Sequence, residues 1–135
     1  DAAVLQAVKD AVNEMYSPQL GLWDQTNGGC NFSVNSDGTA LQSSYKETRQ
    51  GWMVAVLEHL DRIEKGAWTQ KVTDMIGVVE NKLWQAPLKG YVYRVTPAFA
   101  VYQTHEGPNR ALVTEDFVTT EAMGIAGQVL EGASS

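Results

Sequence analysis

SYKETRQGWMVAVLEHLDRIEKGAWTQKVTDMIGVVENKLW, residues 44 to 84, decides the fold. In its first half Tyr45, Thr48, Trp52, Val56, Leu57, Leu60 and Ile63 recur at steps of three and four, which draws one apolar stripe on a 3.6-residue helix. Lys46, Glu47, Arg49, Glu58, Asp61 and Arg62 lie mostly off that stripe. Ser44 and Glu47 fit a capping box, so the helix is expected to start at Ser44. The second half repeats the pattern with Trp68, Val72, Met75, Ile76, Val79 and Leu83. Between them Gly66 accepts the left-handed backbone that ends a helix, and Pro87 discourages helix beyond the second stripe. Two helices with so short a link are expected to lie antiparallel, with Trp52 and Trp68 in the core.

The flanks add smaller elements. Residues 2 to 16 carry a stripe of Val4, Leu5, Val8, Val12 and Met15, closed by Ser17-Pro18, and read as a first helix. Residues 19 to 43 hold Asn27-Gly28-Gly29 and Asp37-Gly38, two turn signals around a short run from Cys30 to Val34 that suits a strand. A loop of this length points to binding or to cover over a site. After Pro87 the period shortens. Tyr91, Tyr93 and Val95 alternate with Val92 and Arg94, and Phe99 to Gln103 is again rich in strand formers, so a hairpin turning at Thr96-Pro97-Ala98 is expected. Thr114 opens a last helix with the stripe Val118, Ala122, Ile125, Ala126 and Val129. The expected fold class is mainly α with a minor β component (α+β): about four helices including a central antiparallel pair, one long Gly/Asn-rich loop and one β-hairpin, in a single domain spanning 1–135.

Bulk composition narrows the function. With 44% apolar and 19% charged residues the chain has the makings of a packed core. Its net charge of −6 argues against nucleic acid or an anionic membrane surface as partner. No apolar run reaches the roughly 20 residues of a transmembrane helix. Asp1 in place of Met suggests a processed product. Cys30 is the only cysteine, which excludes an internal disulfide and leaves a buried thiol or an interchain bridge in an oligomer. Asn31-Phe32-Ser33 is an N-glycosylation sequon, consistent with a secreted or cell-surface location.

Candidate chemistry is sparse. Glu115-Asp116 opens a helix, where acids favour the positive end of the dipole; the same pair could serve as acid and nucleophile. Trp23, Tyr91 and Tyr93 lie in loop and strand regions where aromatic faces can stack on flat ligands or sugars, and Asn27 and His105 are polar loop residues beside them in kind. His59 sits on the charged flank of a helix and reads as solvated. No HxxxH or HExxH spacing supports a metal, and no GxSxG, GxGxxG or GxxxxGK[ST] element supports a nucleophile elbow or a phosphate loop. No metal and no cofactor is expected.

The order of these features resembles a known family. Gly21-Leu22-Trp23-Asp24 after a first helix, Gly51-Trp52-Met53-Val54-Ala55-Val56-Leu57 opening a second, and Glu115-Asp116 before a helix with Ala122, Gly124, Ile125 and Ala126 together resemble the N-terminal part of secreted (α/α)-toroid glycoside hydrolases of the endo-α-1,6-mannanase type. The resemblance implies that the acid pair supplies the two catalytic carboxylates. It departs from the family in carrying Glu-Asp where the family has Asp-Asp, and Met53 where a second Trp is expected. A closed toroid of six helical hairpins also needs about two to three times this length. The primary expectation is therefore a non-enzymatic, secreted or surface-exposed binding or assembly domain that presents its long loop and hairpin to a protein or carbohydrate partner. The alternative is an α-mannanase-like carbohydrate-active hydrolase, or a fragment of one, with Glu115 and Asp116 as acid and nucleophile.

Overall fold

The computed structural model describes residues 1–37, 39, 45–86, 89–91 and 94–100. Helix α1 (Ala2–Tyr16) is capped by Asp1, whose carboxylate accepts from the amides of Ala3 and Val4, and it stops at Ser17. Helix α2 (Trp52–Ile63) follows a 3₁₀ turn at Thr48–Gly51. Helix α3 (Thr69–Val78) runs on into a π turn at Val79–Leu83. Between α2 and α3, Lys65 and Gly66 take positive φ, and Gly66 at 91° closes the turn expected of it.

Four two-residue strands complete the described chain. β1 (Lys46–Glu47) pairs antiparallel with β4 (Arg94–Val95), and β2 (Trp84–Gln85) pairs antiparallel with β3 (Gly90–Tyr91). The class is thus mainly helical with a small antiparallel β component, α+β as expected. Thr96–Ala100 does form a turn, closed by the Thr96 amide on the Ala100 carbonyl at 2.7 Å. Tyr91 and Val95 also find partners upstream, at Trp84 and Lys46, and the rest of the expected second arm, 101–103, lies outside the described residues. The last expected helix lies outside the described residues.

The core gathers Val54, Leu57 and Leu60 of α2, Trp68, Val72, Met75, Val78, Val79 and Leu83 from the α3 side, Val12 of α1 and Val95 of β4. The second apolar stripe is buried as read, with Trp68 only 6% exposed. The first requires correction. Lys46 and Glu47 are strand residues and α2 begins only at Trp52, so the expected helix does not run through them, and Glu47 is a buried carboxylate. Since α2 opens at Trp52, its buried face is set by Val54, Ala55, Leu57, Glu58 and Leu60. At 100° per residue Trp52 and Ile63 fall roughly opposite Val54, and Trp52 is 38% exposed. It is not a core tryptophan. His59 is exposed, as expected.

Candidate functional site

One buried lysine shapes the loop before α2. The Lys46 side chain is 0% exposed. Its ammonium donates to Asp24 Oδ2 at 2.8 Å, to the Gly28 carbonyl at 2.8 Å and to the Pro97 carbonyl at 2.6 Å. All three of its donors are used. It also stands 4.4 Å from the Phe99 ring centroid. Asp24 in turn accepts from the amides of Thr26 and Asn27 and from the Asn27 side chain. Burial alone would raise the Asp24 carboxyl, but Lys46 and these amides outweigh it and hold it well below the usual carboxylate range. Burial also draws the Lys46 ammonium down, against the pull of Asp24.

The clasp leaves little room around it. Gly29 has φ of 77°, and a Cβ there would stand 2.9 Å from Phe99 Cζ and 3.0 Å from Gln50 Oε1. Only glycine satisfies both the backbone and the space. The Gln50 carboxamide fixes the next residue, accepting from the Cys30 amide at 2.8 Å and donating to the Glu47 carbonyl at 3.0 Å. Residues 30–32 are thereby laid against β1. Trp23 bridges Cys30, the Asn31 backbone amide donates to Leu22, and the Phe32 amide donates to Tyr45 at 2.8 Å.

This arrangement makes a pocket of about 260 Å³ bounded by Met15, Cys30, Asn31, Phe32, Glu47, Arg49, Gln50 and Met53. Two of its walls carry buried acceptors without a hydrogen-bond donor: Asn31 Oδ1 and Glu47 Oε2. Asn31 is 9% exposed and Glu47 5%. The Asn31 side-chain nitrogen donates to the Gly21 carbonyl at 3.3 Å, while its oxygen receives no donor. Glu47 Oε1 is engaged by Arg94 Nε at 3.1 Å, whereas Arg49 Nε stands 3.8 Å from Oε2, an electrostatic contact too long for a hydrogen bond. Beside them the exposed Phe32 ring stacks on Tyr45 at 4.8 Å, and the Arg94 guanidinium covers Tyr45 at 4.3 Å. A buried acceptor without a donor costs about 1–3 kcal/mol, so two on one pocket favour a ligand that brings donors.

The residues singled out in the sequence scatter over the fold. Trp23 is half-buried, with its ring 4.9 Å from that of Tyr16 at the edge of the core. Tyr91 meets Trp84 edge-on at 5.1 Å and packs on the core. Asn27 lines a separate cleft, with Lys82 bonded to its carbonyl. Tyr93, His105, Glu115 and Asp116 lie outside the described residues. Cys30 places Sγ 3.9 Å from Met15 Sδ, and burial pushes its thiol up to about 12, the nearby Lys46 only partly opposing this; at neutral pH it is a poor nucleophile for an interchain bridge. Asn31 of the sequon is buried, at 9% exposure. Among the described residues no group of three or more His, Cys, Asp and Glu is placed to hold a metal, and no helix is long and apolar enough to cross a membrane.

Comparison with solved structures gives a likeness of fold. The chain superposes on the structure of cellobiose 2-epimerase from Bacillus thermoamylovorans B4167 with a TM-score of 0.77 at 14% identity, covering 97% of this chain and 34% of that one. The likeness is one of fold, to part of an (α/α)-toroid structure. The chain thus spans about a third of the length of the enzyme it matches. The likeness is to the toroid class and does not single out the endo-α-1,6-mannanase type. No family model and no curated protein matches the chain.

Proposed function

We propose that this chain contributes a saccharide-binding wall to a carbohydrate-processing protein, with the pocket at Asn31, Phe32 and Glu47 as the point of contact. The observation that carries this reading is a pocket whose lining combines the exposed Phe32 ring with two residues, Asn31 and Glu47, that each hold a buried acceptor, Oδ1 and Oε2, without a donor. Sugars are dense in hydroxyl donors and present a flat face of C–H bonds. The C–H face would rest on Phe32, and side-chain rearrangement at the pocket would open the two solvent-shielded acceptors to the hydroxyls. The toroid fold lends support, since the matched protein is named for a disaccharide. This reading keeps the carbohydrate partner expected from the sequence and moves its site from Trp23 and Tyr91 to the residues beside them.

The test is a titration of the chain with cellobiose followed by two-dimensional amide NMR. Cross-peaks of residues 30–33 and 47–50 should shift progressively. A hydrogen bond to a charged acceptor is worth about 1.5–3 kcal/mol, so Glu47→Gln should weaken the interaction by about tenfold or more. Phe32→Ala should weaken it as well. Shifts that stay unchanged at the highest soluble cellobiose concentration, or that survive both substitutions, would remove the pocket from consideration.

A further inference from the structure

The loop that walls the saccharide pocket also walls a second recess. A cleft of about 440 Å³ lies between Thr26 and Asn27 of this loop, Asn81 and Lys82 of the π turn after α3, Gln85 of β2, and Phe99. Its lining differs in kind from that of the first pocket, with three carboxamides, a hydroxyl and one ammonium beside one aromatic ring. Lys82 donates one hydrogen bond, to the Asn27 carbonyl, and stands 4.8 Å from the Phe99 ring centroid. An ammonium has three donors, so two remain for a ligand. Among the described residues no carboxylate pairs with Lys82. The nearest acid in the loop, Asp24, is committed to Lys46 and to the amides of Thr26 and Asn27. Lys46 itself lies across the same Phe99 ring, and its charge is matched by Asp24. Among the described residues the cleft therefore carries a positive charge with no carboxylate paired to it, in a chain of net charge −6.

Phe99 marks the cleft in another way. Its φ of 66° places a bulky side chain in the left-handed region, a conformation that costs about 1–3 kcal/mol. The turn that imposes it is held by the Phe99 amide on the Thr96 carbonyl at 2.8 Å and by the Ala100 amide on Thr96 Oγ1 at 3.0 Å. The strained backbone sets the ring where Gly29, Lys46 and Lys82 converge.

We propose that this cleft is a second saccharide subsite that selects a uronate, its carboxylate received by Lys82 and its hydroxyls by the carboxamides of Asn27, Asn81 and Gln85. The proposal rests on the carbohydrate reading above. A carboxylate matches the lone ammonium, and the carboxamides, each both donor and acceptor, match vicinal hydroxyls. The cleft volume is in the range of small-ligand sites, roughly 300–1,000 Å³.

The experiment compares glucuronate, glucose and inorganic phosphate on the wild-type chain, on Lys82→Gln and on Gln85→Ala, by the same amide NMR titration. Glucuronate should move the cross-peaks of residues 26–28, 81–85 and 99 and bind about tenfold or more tightly than glucose. Lys82→Gln should remove that preference while leaving glucose binding in place. Gln85→Ala should weaken both sugars alike, with the preference intact. Equal binding of the two sugars by the wild type, a preference that survives Lys82→Gln, or phosphate that competes as well as glucuronate would each overturn the proposal. Sugars that shift only residues 30–33 and 47–50 would overturn the cleft and leave the saccharide pocket standing. Silence at both places would end both readings. Should Lys82→Gln lose its helical circular dichroism, the decision passes to Gln85→Ala and to the wild-type preference.

Discussion

Replacing Lys46 by methionine tests the clasp directly. Methionine keeps an unbranched side chain of similar reach, so packing against Phe99 is largely retained and the lost term is electrostatic. Three acceptors lose their donor at once: Asp24 Oδ2 and the carbonyls of Gly28 and Pro97. Breaking a buried ion pair by removing one partner costs about 3–5 kcal/mol, and a single orphaned acceptor about 1–3 kcal/mol. Asp24 retains some solvent access, at 14% side-chain exposure, and the carbonyls can shift, so these terms overlap; about 3–5 kcal/mol is the expected total. At roughly 4 °C per kcal/mol for a chain of this size, the melting temperature should fall by about 12–20 °C. Urea titration followed by circular dichroism measures the first quantity, and a thermal scan the second. Adding Asp24→Asn to the Lys46→Met chain should restore part of the loss, since the stranded carboxylate is then gone. The Asp24 carboxyl is held below its ordinary range, so the stability it lends is fully present above about pH 4 and disappears as pH falls further. The Lys46→Met chain should show a shallower acid slope. A loss under about 1 kcal/mol, or an unchanged acid slope, would mean that the ammonium is not the anchor of this loop.

Other substitutions separate further terms. Gly29→Ala should destabilise by about 2–4 kcal/mol in the same urea titration, because overpacking against Phe99 and Gln50 adds to a positive φ, whereas Gly66→Ala, with only Thr69 Oγ1 at 3.6 Å, should cost about 1 kcal/mol of strain alone. Trp68→Ala should cost about 3–5 kcal/mol, losing a buried indole whose Nε1 donates to Glu64 at 2.9 Å; Trp52→Ala should cost less than half of that, and equal losses would contradict the exposure of Trp52. Glu58 is buried on α2, and burial first, then the Asp61 carboxylate, raise its carboxyl pKa. A raised acid lends its stability at low pH and loses it as pH climbs through the folded-state value, so Glu58→Gln should be more stable than wild type at pH 7 and equal to it below about pH 4. Thermal scans at the two pH values decide this, and a wild type that is the more stable at pH 7 would refute it.

What could be read from the sequence was local. The span of α1 is written in Asp1, its stripe and Ser17-Pro18, all within a turn of each end. The α2–α3 turn is written in Gly66, and the buried face of α3 in its own spacing. The clasp is not local. Lys46 finds its partners 22, 18 and 51 residues away, and Glu47 finds Arg94 47 residues away. In sequence these two charges read as the solvated flank of a helix, and Ser44 with Glu47 satisfied a capping rule that the β1–β4 pairing overrides. The misplacement of Trp52 has a related cause. α2 carries apolar residues on both sides, so a three-and-four spacing can be drawn along either, and only packing distinguishes them. Asn31 offered a signal, a polar residue between Cys30 and Phe32, but the sequon pattern directed attention to its outside and not to its burial.

The reach of the Lys46 contacts also gives this chain a calendar. A polypeptide is made from its N-terminus at about 5–20 residues per second, so the Pro97 carbonyl, 51 residues after Lys46, is synthesised about 3–10 s later. For that interval the ammonium can reach Asp24 and Gly28 but not its third acceptor, and the glycine loop has no Phe99 to close against. The two central helices can pair during the wait, because everything they need lies within their own span. A nascent chain halted shortly before Pro97 should thus be helical yet open to protease at residues 24–30, and the same stretch should become resistant once synthesis proceeds through Ala100.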